Sequence, residues 1–275
     1  MAESHFAFTR EHMGLLCSIA QRAGREVMAV YDAPFAASAK QDGSPVTEAD
    51  LRADRVIREG LATGFPGVCI VSEESSPDMQ DAADCFFLVD PLDGTREFVA
   101  RNGEFTVNIA AIARGQPVAG VVLAPATGEM FYAARGVGAW RQTPQGEHAL
   151  RVRPARAGEA LRVLGSRSHQ DSATRDWLAA LSQPWTMKVA GSSLKFCRIA
   201  AGDADLYPRL GPTCQWDTAA GHAVLEQAGG AVRAASGSAL AYGRDRPLIN
   251  PYFVALADPS LTLPPLPPPA LCGTI

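Results

Sequence analysis

The spacing of apolar residues changes along this chain, and the change restricts the folds that it can adopt. Over residues 11–32, apolar side chains recur every three or four positions, which predicts an amphipathic helix that Pro34 ends. A second helix is predicted from Thr47 or Glu48 to about residue 61, because Thr47 and Asp50 have the spacing of a helix-starting cap. Two helices therefore lead the chain.

The middle of the chain is made of short apolar runs separated by Gly and Pro residues. Such runs are typical of strands, and tight turns roughly a dozen residues apart favour a largely antiparallel sheet. One side of this sheet is expected to be covered by the two leading helices. The predicted strands are residues 85–89, 105–113, 118–123 and 130–134.

Beyond residue 154 the predicted strands and helices alternate, which is an α/β rhythm. The strands are expected at 161–164, 187–190 and 253–257, and the helices at 172–181, 193–201 and 217–228. We therefore divide the chain into an α+β half, residues 1–154, an α/β half, residues 155–258, and a tail, residues 259–275. The tail has six prolines between Pro259 and Pro269 and is expected to be disordered or extended.

Composition excludes several kinds of protein. The net charge of -4 leaves no excess of Lys and Arg, so a nucleic-acid polymer is not expected as a partner. No apolar run reaches the ~18 residues that a membrane span needs, and the N-terminal segment carries charges where a secretory signal would be apolar. The six cysteines form no C-x-x-C pair and are interpreted as free thiols of a reducing compartment. These features predict a cytoplasmic protein without a transmembrane segment.

Two carboxylates, Asp90 and Asp93, follow the apolar run 85–89 in a turn that contains Pro91 and Gly94. Carboxylates held this close repel one another unless a cation lies between them, and oxygen ligands select a hard ion such as Mg²⁺. The glycine allows the backbone to approach a ligand closely. By itself, however, this segment is equally typical of an ordinary Asp-rich turn.

Two further acidic segments are each ambiguous alone. Glu73 and Glu74 follow the apolar residues 70–72, a pattern that also suits a solvated helix start. Asp217 stands in the segment 216–221, where an aspartate is most simply a helix N-cap. Asp54, one turn after Asp50 on the second helix, is interpreted as a solvated carboxylate.

Together, the three segments resemble the E-E, D-P-[IL]-D-G-T and W-D-x-A-A-G motifs of the inositol monophosphatase superfamily, which are Mg²⁺-dependent, Li⁺-sensitive phosphatases. The resemblance extends to about Leu256. Within the superfamily it is strongest to the bacterial CysQ group of 3'(2'),5'-bisphosphate nucleotidases, on the segments 44–47, 96–98, 101–108, 191–197 and 206–209. It implies a layered α/β/α/β/α sandwich.

The resemblance also implies roles for individual residues around two or three Mg²⁺ ions, with Li⁺ as an inhibitor. Glu73, Asp90 and the Leu92 carbonyl would bind one ion, while Asp90, Asp93 and Asp217 would bind a second. Glu73 also counts among the catalytic residues, together with the pair that would orient and deprotonate the attacking water. That pair is Asp50 and Thr95.

A separate set of residues is expected to bind the substrate. Gly94 and Thr95 would contact the phosphate that is cleaved. Ser192, Lys195 and Arg209 would hold the phosphate that is not cleaved, because Lys and Arg supply charge-assisted donors to phosphate. The last candidate, which would approach the adenine, is His169.

The implied reaction is hydrolysis of 3'-phosphoadenosine 5'-phosphate to AMP and phosphate, which would clear a by-product of sulfate assimilation. A phosphorylated nucleotide is therefore the expected small-molecule partner. The resemblance allows peripheral association with the cytoplasmic face of the inner membrane, and the oligomeric state has no signal in the sequence. Two alternatives stay open: an inositol- or sugar-phosphate phosphatase of the same fold, and a non-catalytic binding protein, which would be expected to have lost a metal carboxylate.

Overall fold

A computed structural model of the protein describes residues 7–39, 45–75, 84–153, 156, 158–166 and 172–268. Its helices are α1 (Arg10–Tyr31), α2 (Glu48–Gly64), α3 (Thr95–Val99), α4 (Ser172–Ala179), α5 (Leu194–Ala200) and α6 (Gln215–Gln227). Its strands are β1 (Ala37–Ala39), β2 (Pro45–Thr47), β3 (Cys69–Ser72), β4 (Cys85–Asp93), β5 (Thr106–Ala113), β6 (Gln116–Ala124), β7 (Glu129–Ala134), β8 (Gly138–Thr143), β9 (Gly146–Ala149), β10 (Leu161–Ser166), β11 (Trp185–Ala190), β12 (Leu206–Arg209), β13 (Ala231–Ala234) and β14 (Phe253–Leu256).

The larger sheet has the strand order β3-β4-β5-β6-β7-β8-β9. β3 and β4 are parallel and every other pair is antiparallel, as the tight turns between the apolar runs predicted. Helices α1 and α2 pack on one face of this sheet, where Leu16 and Ile57 join the buried cluster that contains Phe87 and Val89. The predicted sheet and its two covering helices are confirmed.

Strand β4 is buried on both faces, which explains its continuous apolar sequence. Successive side chains of a strand point to opposite faces. Phe87 and Val89 face α1 and α2, whereas Phe86 and Leu88 join the cluster on the opposite side of the sheet. The strand that ends in Asp90 therefore lies between two layers of core.

The smaller sheet has the strand order β11-β10-β12-β14-β13. β10 is parallel to β11 and β12, whereas β14 is antiparallel to β12 and β13. Helices α5 and α6 lie between the two sheets, because Phe196 and Val224 share one cluster with Phe131 of β7 and Phe253 of β14. With α4 outside the smaller sheet, the order of layers is α/β/α/β/α, as predicted.

The alternating pattern of the second half predicted β10, α4, β11, α5, α6 and β14, but β12 and β13 were missed. Both are only four residues long. β12 contains Pro208, and β13 directly follows the glycine pair at 229–230, so neither has the length or flanks of a typical strand signal. Their pairing with β14 makes the smaller sheet mixed instead of fully parallel.

The tail was expected to be disordered or extended, and residues 259–268 form a segment without helix or strand that packs on the protein. Leu261, Leu263 and Leu266 pack against the cluster that contains Trp177 of α4. The Trp177 Nε1–H donates to the Pro264 carbonyl oxygen at 3.1 Å. An extended Pro-rich backbone lacks donors but keeps its acceptors, and the leucines between the prolines supply apolar contacts. The rest of the tail, residues 269–275, lies outside the described residues.

The remaining expectations for the whole chain concern membranes and thiols. In the part of the chain that the structure describes, no helix is long and apolar enough to cross a membrane. The cysteines in this part are free thiols, as predicted, and they are Cys17, Cys69, Cys85, Cys197 and Cys214. The sixth, Cys272, lies outside the described residues.

Candidate active site

Asp50 lies at the start of α2, where the cap of the helix fixes its side chain. Its Oδ2 accepts hydrogen bonds from the Thr47 backbone N–H at 2.7 Å and the Thr47 hydroxyl at 2.8 Å. The Thr47 hydroxyl in turn accepts from the Ala49 N–H, which completes a capping box. The cap leaves Asp50 Oδ1 directed at the Thr95 hydroxyl, 3.4 Å away.

Asp90 and Leu92 lie in the last part of β4, and Thr95 is the first residue of α3. Asp90 is buried, and its Oδ1 accepts from the Leu92 N–H at 3.0 Å. The Leu92 carbonyl oxygen lies 3.2 Å from the Thr95 hydroxyl. Gly94 has a φ of 90°, and a Cβ at this position would lie 3.1 Å from the Glu104 carbonyl oxygen, so the turn requires glycine.

Asp217 lies in the first turn of α6. Its Oδ2 accepts from the Thr213 hydroxyl at 2.8 Å and from the Cys214 N–H at 2.8 Å. The N-cap of α6 is Cys214, so Asp217 is not the N-cap that its sequence pattern alone would suggest but the third helical residue, which completes a capping box. Asp217 also lines the cleft between the two halves.

The fold brings Glu73, Asp90 and Asp217 together from three separate elements. Each can place one carboxylate oxygen so that all three oxygens lie within 4.8 Å of one another. Burial, followed by the charges of Glu73, Asp93 and Asp217, raises the pKa of Asp90 well above its usual value. Burial and the charges of Asp93 and Glu73 raise the pKa of Asp217 to about 7.

The raised pKa values of Asp90 and Asp217 show that these carboxylates cannot all carry a negative charge without compensation. Such a concentration of buried negative charge is stable only with protons or a cation among the oxygens. A set of oxygen donors without sulfur or nitrogen suits a hard cation such as Mg²⁺. The residues present therefore fit a divalent metal.

Asp93 is beside this group and is held by the second half of the chain. Its Oδ2 accepts from the Ser193 N–H at 2.6 Å and from the Ser193 hydroxyl at 2.9 Å. Burial raises the pKa of Asp93, whereas the positive charge of Lys195 and the hydrogen bonds from Ser193 lower it in part. Asp93 lines the same cleft as Glu73 and Asp217.

The second half of the chain lines this cleft with two cationic residues, Lys195 and Arg209, which we call the cationic wall. The Lys195 ammonium is buried and donates to the Ser192 carbonyl at 2.7 Å and to the Ala190 carbonyl at 3.3 Å. Burial lowers the pKa of Lys195 to about 8, although the negative charge of Asp93 opposes the shift. The amine thus remains largely protonated at neutral pH.

Arg209 has donors that the protein does not use. Its Nη2 donates to the Pro212 carbonyl at 2.5 Å, but its buried Nε–H has no hydrogen-bond partner among the described residues. A buried donor without a partner costs about 1–3 kcal/mol, so a ligand oxygen at this point of the cleft would be stabilising. Ser192, Lys195 and Arg209 line the same cleft as Glu73, Asp93 and Asp217, and their expected contact with a phosphate stays a prediction.

A model of the inositol monophosphatase family matches residues 10–260 of this chain. The chain belongs to the inositol monophosphatase family. The family that the three acidic motifs indicated is therefore confirmed, over nearly the whole chain.

Within the family, relatives and solved structures of known name resemble this chain. It is 47% identical over 242 residues to the 3'(2'),5'-bisphosphate nucleotidase CysQ of Salmonella typhimurium, covering 86% of this chain and 96% of that protein. Identity to the protein of the same name from Escherichia coli K12 is 46% over 242 residues, with the same coverage of 86% and 96%.

Among solved structures, CysQ from Bacteroides thetaiotaomicron has a TM-score of 0.79 at 32% identity, covering 90% of this chain and 98% of that one. SuhB from Bartonella henselae has a TM-score of 0.74 at 27% identity, covering 90% and 94%. The layered architecture is thus that of the family.

The expectations for two residues, Asp54 and His169, are not confirmed. Asp54 was predicted to be solvated, but it is buried and its Oδ1 accepts from the Ser72 hydroxyl at 2.5 Å. The prediction was wrong because the face of α2 that carries Asp54 turns toward the end of β3. His169 lies outside the described residues, so its expected contact with adenine stays a prediction.

Several polar residues around the carboxylates were not assigned a role from the sequence. Ser193 and Thr213 hold Asp93 and Asp217, and Asn108 of β5 donates to Ser193. Ser193 stands inside the family segment 191–197, which is the one signal that could have found it. Asn108 likewise ends the family segment 101–108, whereas Thr213 lies outside every such segment.

Proposed function

We propose that this protein is a metal-dependent phosphatase that hydrolyses 3'(2'),5'-bisphosphate nucleotides, with 3'-phosphoadenosine 5'-phosphate as substrate and AMP and phosphate as products. The observation that carries the proposal is one cleft in which a group of buried and partly buried carboxylates lies beside Lys195 and Arg209. The carboxylates suit a metal ion at the phosphate ester bond that is hydrolysed. The two cations suit another phosphate of the same molecule. The identity to the named nucleotidases supports this choice of substrate.

The carboxylates of the cleft would hold two or three Mg²⁺ ions. Glu73, Asp90 and the Leu92 carbonyl form one set of ligands, and Asp90, Asp93 and Asp217 form the second. When bound, the ions supply positive charge that neutralises the phosphate and lowers the pKa of water. Li⁺ is expected to inhibit.

Thr95 and Asp50 would activate the attacking water. The Thr95 hydroxyl can accept a hydrogen bond from a water while donating its own hydrogen to Asp50 Oδ1, which lies 3.4 Å away. The proton lost by the water passes in this way to Asp50. The water oxygen bonds to phosphorus as the bond to the nucleotide oxygen breaks, and that oxygen leaves as a hydroxyl after taking up a proton.

The wall of the second half would orient the nucleotide. We assign the phosphate that is not cleaved to Lys195, Ser192 and Arg209, because all three line the cleft and the buried Arg209 Nε–H has no hydrogen-bond partner among the described residues. Gly94 and Thr95 line the cleft on the opposite side, next to the phosphate that is cleaved.

A phosphatase acting on inositol or sugar phosphates is the second candidate. The group of Glu73, Asp90 and Asp217 would serve any phosphate ester, so these carboxylates do not distinguish the substrates. Only the cationic wall favours a molecule with two phosphates.

A phosphate-release assay separates the two functions. The purified protein is given 3'-phosphoadenosine 5'-phosphate, inositol 1-phosphate or fructose 1,6-bisphosphate, with Mg²⁺ and then with added Li⁺. We expect the bisphosphate nucleotide to give the highest kcat/KM and Li⁺ to lower it. A higher kcat/KM for inositol 1-phosphate would favour the second candidate, and no release from any substrate would favour a non-catalytic protein.

The cellular role that we propose is removal of a by-product of sulfate assimilation in the cytoplasm. A strain without this protein should accumulate 3'-phosphoadenosine 5'-phosphate when it grows on sulfate as its sulfur source, because the nucleotide would no longer be hydrolysed. Unchanged nucleotide levels in that strain would contradict the role.

A further inference from the structure

The hydroxyl group of Ser193 lies within hydrogen-bond distance of residues from three elements of the fold. The Ser193 Oγ lies 2.9 Å from Asp93 Oδ2, 2.6 Å from the Asp217 carbonyl oxygen and 2.8 Å from Asn108 Nδ2. These partners belong to β4, α6 and β5. Ser193 itself is buried and directly precedes α5, next to the residues that form the cationic wall of the cleft.

The directions of these hydrogen bonds follow from the number of hydrogens. The Asn108 amide nitrogen has no lone pair to accept with, so it donates to the Ser193 oxygen. The single hydroxyl hydrogen of Ser193 is therefore left for the Asp217 carbonyl or for Asp93 Oδ2. The Ser193 backbone N–H donates to the same Asp93 oxygen at 2.6 Å. Asp93 Oδ2 thus accepts from the Ser193 N–H and competes with the Asp217 carbonyl oxygen for the Ser193 hydroxyl hydrogen.

The backbone beside Ser193 is strained and is held on both sides. Ser192 has a φ of 46°, in the left-handed region that residues other than glycine rarely adopt. Before it, the Gly191 N–H donates to Glu104 Oε2 at 2.9 Å. After it, Ser193 is fixed by Asp93. Such a conformation persists only where neighbouring contacts enforce it, so the anchor at Asp93 also sets the shape of the wall.

The amide of Asn108 supplies a second, independent observation. Its Oδ1 is buried and has no hydrogen-bond partner among the described residues. If Oδ1 and Nδ2 of the Asn108 amide exchanged positions, Oδ1 would lie next to the oxygens of Ser193 and Asp93. The hydrogen bond from Nδ2 would then be replaced by repulsion between oxygen atoms. The orientation that donates to Ser193 is therefore favoured despite the unpartnered oxygen.

We propose that Ser193 is a positioning residue that couples the cationic wall to the metal-binding carboxylates, so that its hydroxyl determines metal affinity more than substrate affinity. The proposal rests on the proposed function only in that the carboxylates hold a divalent metal. Replacing residues that orient metal ligands typically weakens metal binding by about 10–100-fold. The same change should alter the KM for the nucleotide little at saturating Mg²⁺.

The test is a titration with Mn²⁺, followed by electron paramagnetic resonance without any nucleotide. Mn²⁺ takes the same oxygen ligands as Mg²⁺, and its free-ion signal reports binding directly. We expect Ser193→Ala to raise the Kd for Mn²⁺ by about 10–100-fold. Ser236→Ala, which removes an exposed hydroxyl bonded to Ser238, serves as the matched control and should leave the Kd unchanged.

A double-mutant cycle with Asn108→Ala tests whether the two side chains act together. Asn108→Ala should also weaken Mn²⁺ binding, and the double variant should lose less than the sum of the two single losses in free energy. Should Ser193→Ala fail to fold, Asn108→Ala alone tests the chain of hydrogen bonds. Unchanged Mn²⁺ affinity in that variant overturns the proposal.

The outcomes separate this inference from the proposed function. An unchanged Kd for Mn²⁺ with a higher KM for the nucleotide in Ser193→Ala would assign Ser193 to the substrate wall alone and overturn the inference, while the phosphatase proposal would stand. Weaker Mn²⁺ binding in a protein that hydrolyses no nucleotide would support the inference and overturn the proposed substrate. A parent protein that binds no Mn²⁺ would overturn both.

Discussion

The aspartates of the cleft are all held in one manner, although they come from different elements. One oxygen of each side chain accepts a hydrogen bond from residues close to it in the fold, and this fixes the direction of the other oxygen. In Asp90, Asp93 and Asp217, donors of this kind would orient the metal ligands before an ion binds, which lowers the cost of ordering them. The fourth aspartate, Asp50, is held in the same way next to Thr95.

At the scale of single residues, Arg209 separates the two candidate functions. We expect Arg209→Ala to lower kcat/KM for 3'-phosphoadenosine 5'-phosphate by about 10–100-fold, because a hydrogen bond to a charged group contributes about 1.5–3 kcal/mol. Any activity on inositol 1-phosphate should be unchanged, since that substrate has no second phosphate. Steady-state phosphate release with both substrates measures the difference.

The control for this experiment is Arg58→Ala, which removes an exposed arginine of α2. Its kinetics should equal those of the parent protein. An equal loss on both substrates in Arg209→Ala would argue against the assignment of Arg209 to the second phosphate.

At the scale of elements, the turn between β4 and α3 depends on a glycine. Gly94 combines a φ of 90° with a Glu104 carbonyl oxygen 3.1 Å from where a Cβ would lie. Gly94→Ala should therefore destabilise the protein by about 1–3 kcal/mol and reduce phosphatase activity, because Thr95 and Asp93 would shift. Thermal unfolding and phosphate release measure the two effects.

Gly14 provides the opposite case for comparison. It lies within α1, and a Cβ there would meet no atom within 4 Å. Gly14→Ala should stabilise the protein by about 0.5–1 kcal/mol through helix propensity, with no change in activity. If both variants shifted the melting temperature in the same direction, the backbone argument would be wrong.

The sequence predicted those elements and residue roles that depend on a local pattern. It did not predict the roles that depend on tertiary contacts. The spacing of apolar residues and the positions of Gly and Pro were sufficient to predict α1, α2 and strands β4 to β7, but not β8 and β9. The three acidic motifs were sufficient for the family. Asp54 was misjudged because helix spacing does not reveal which face meets Ser72. Ser193 and Asn108 are 85 positions apart, and no local rule connects residues so distant in the chain.

At the scale of the whole molecule, the Pro-rich segment contributes to stability. Leu263 and Leu266 pack on the outer cluster beside Trp177. Replacing both leucines by alanine should cost about 2 kcal/mol, since both are partly buried, and lower the melting temperature by about 4–8 °C. The fluorescence of Trp177 should also shift to the red as its ring gains water.

Thr262→Ala is the matched control, because Thr262 lies between the same prolines but is exposed. Calorimetry and tryptophan emission should not distinguish it from the parent protein. Equal melting temperatures for the control and the double leucine variant would mean that the segment does not stabilise the fold.

The burial of β4 on both faces has a consequence for how the protein moves. Phe86 and Leu88 belong to one core cluster, while Phe87 and Val89 belong to the other. The backbone amides of this strand can therefore meet solvent only when both layers separate, so they should be among the slowest to exchange with deuterium. Asp90 and Asp93 lie in the last part of this strand. Slow exchange in β4 would mean that these two carboxylates keep their positions except in the rare openings that separate both core layers.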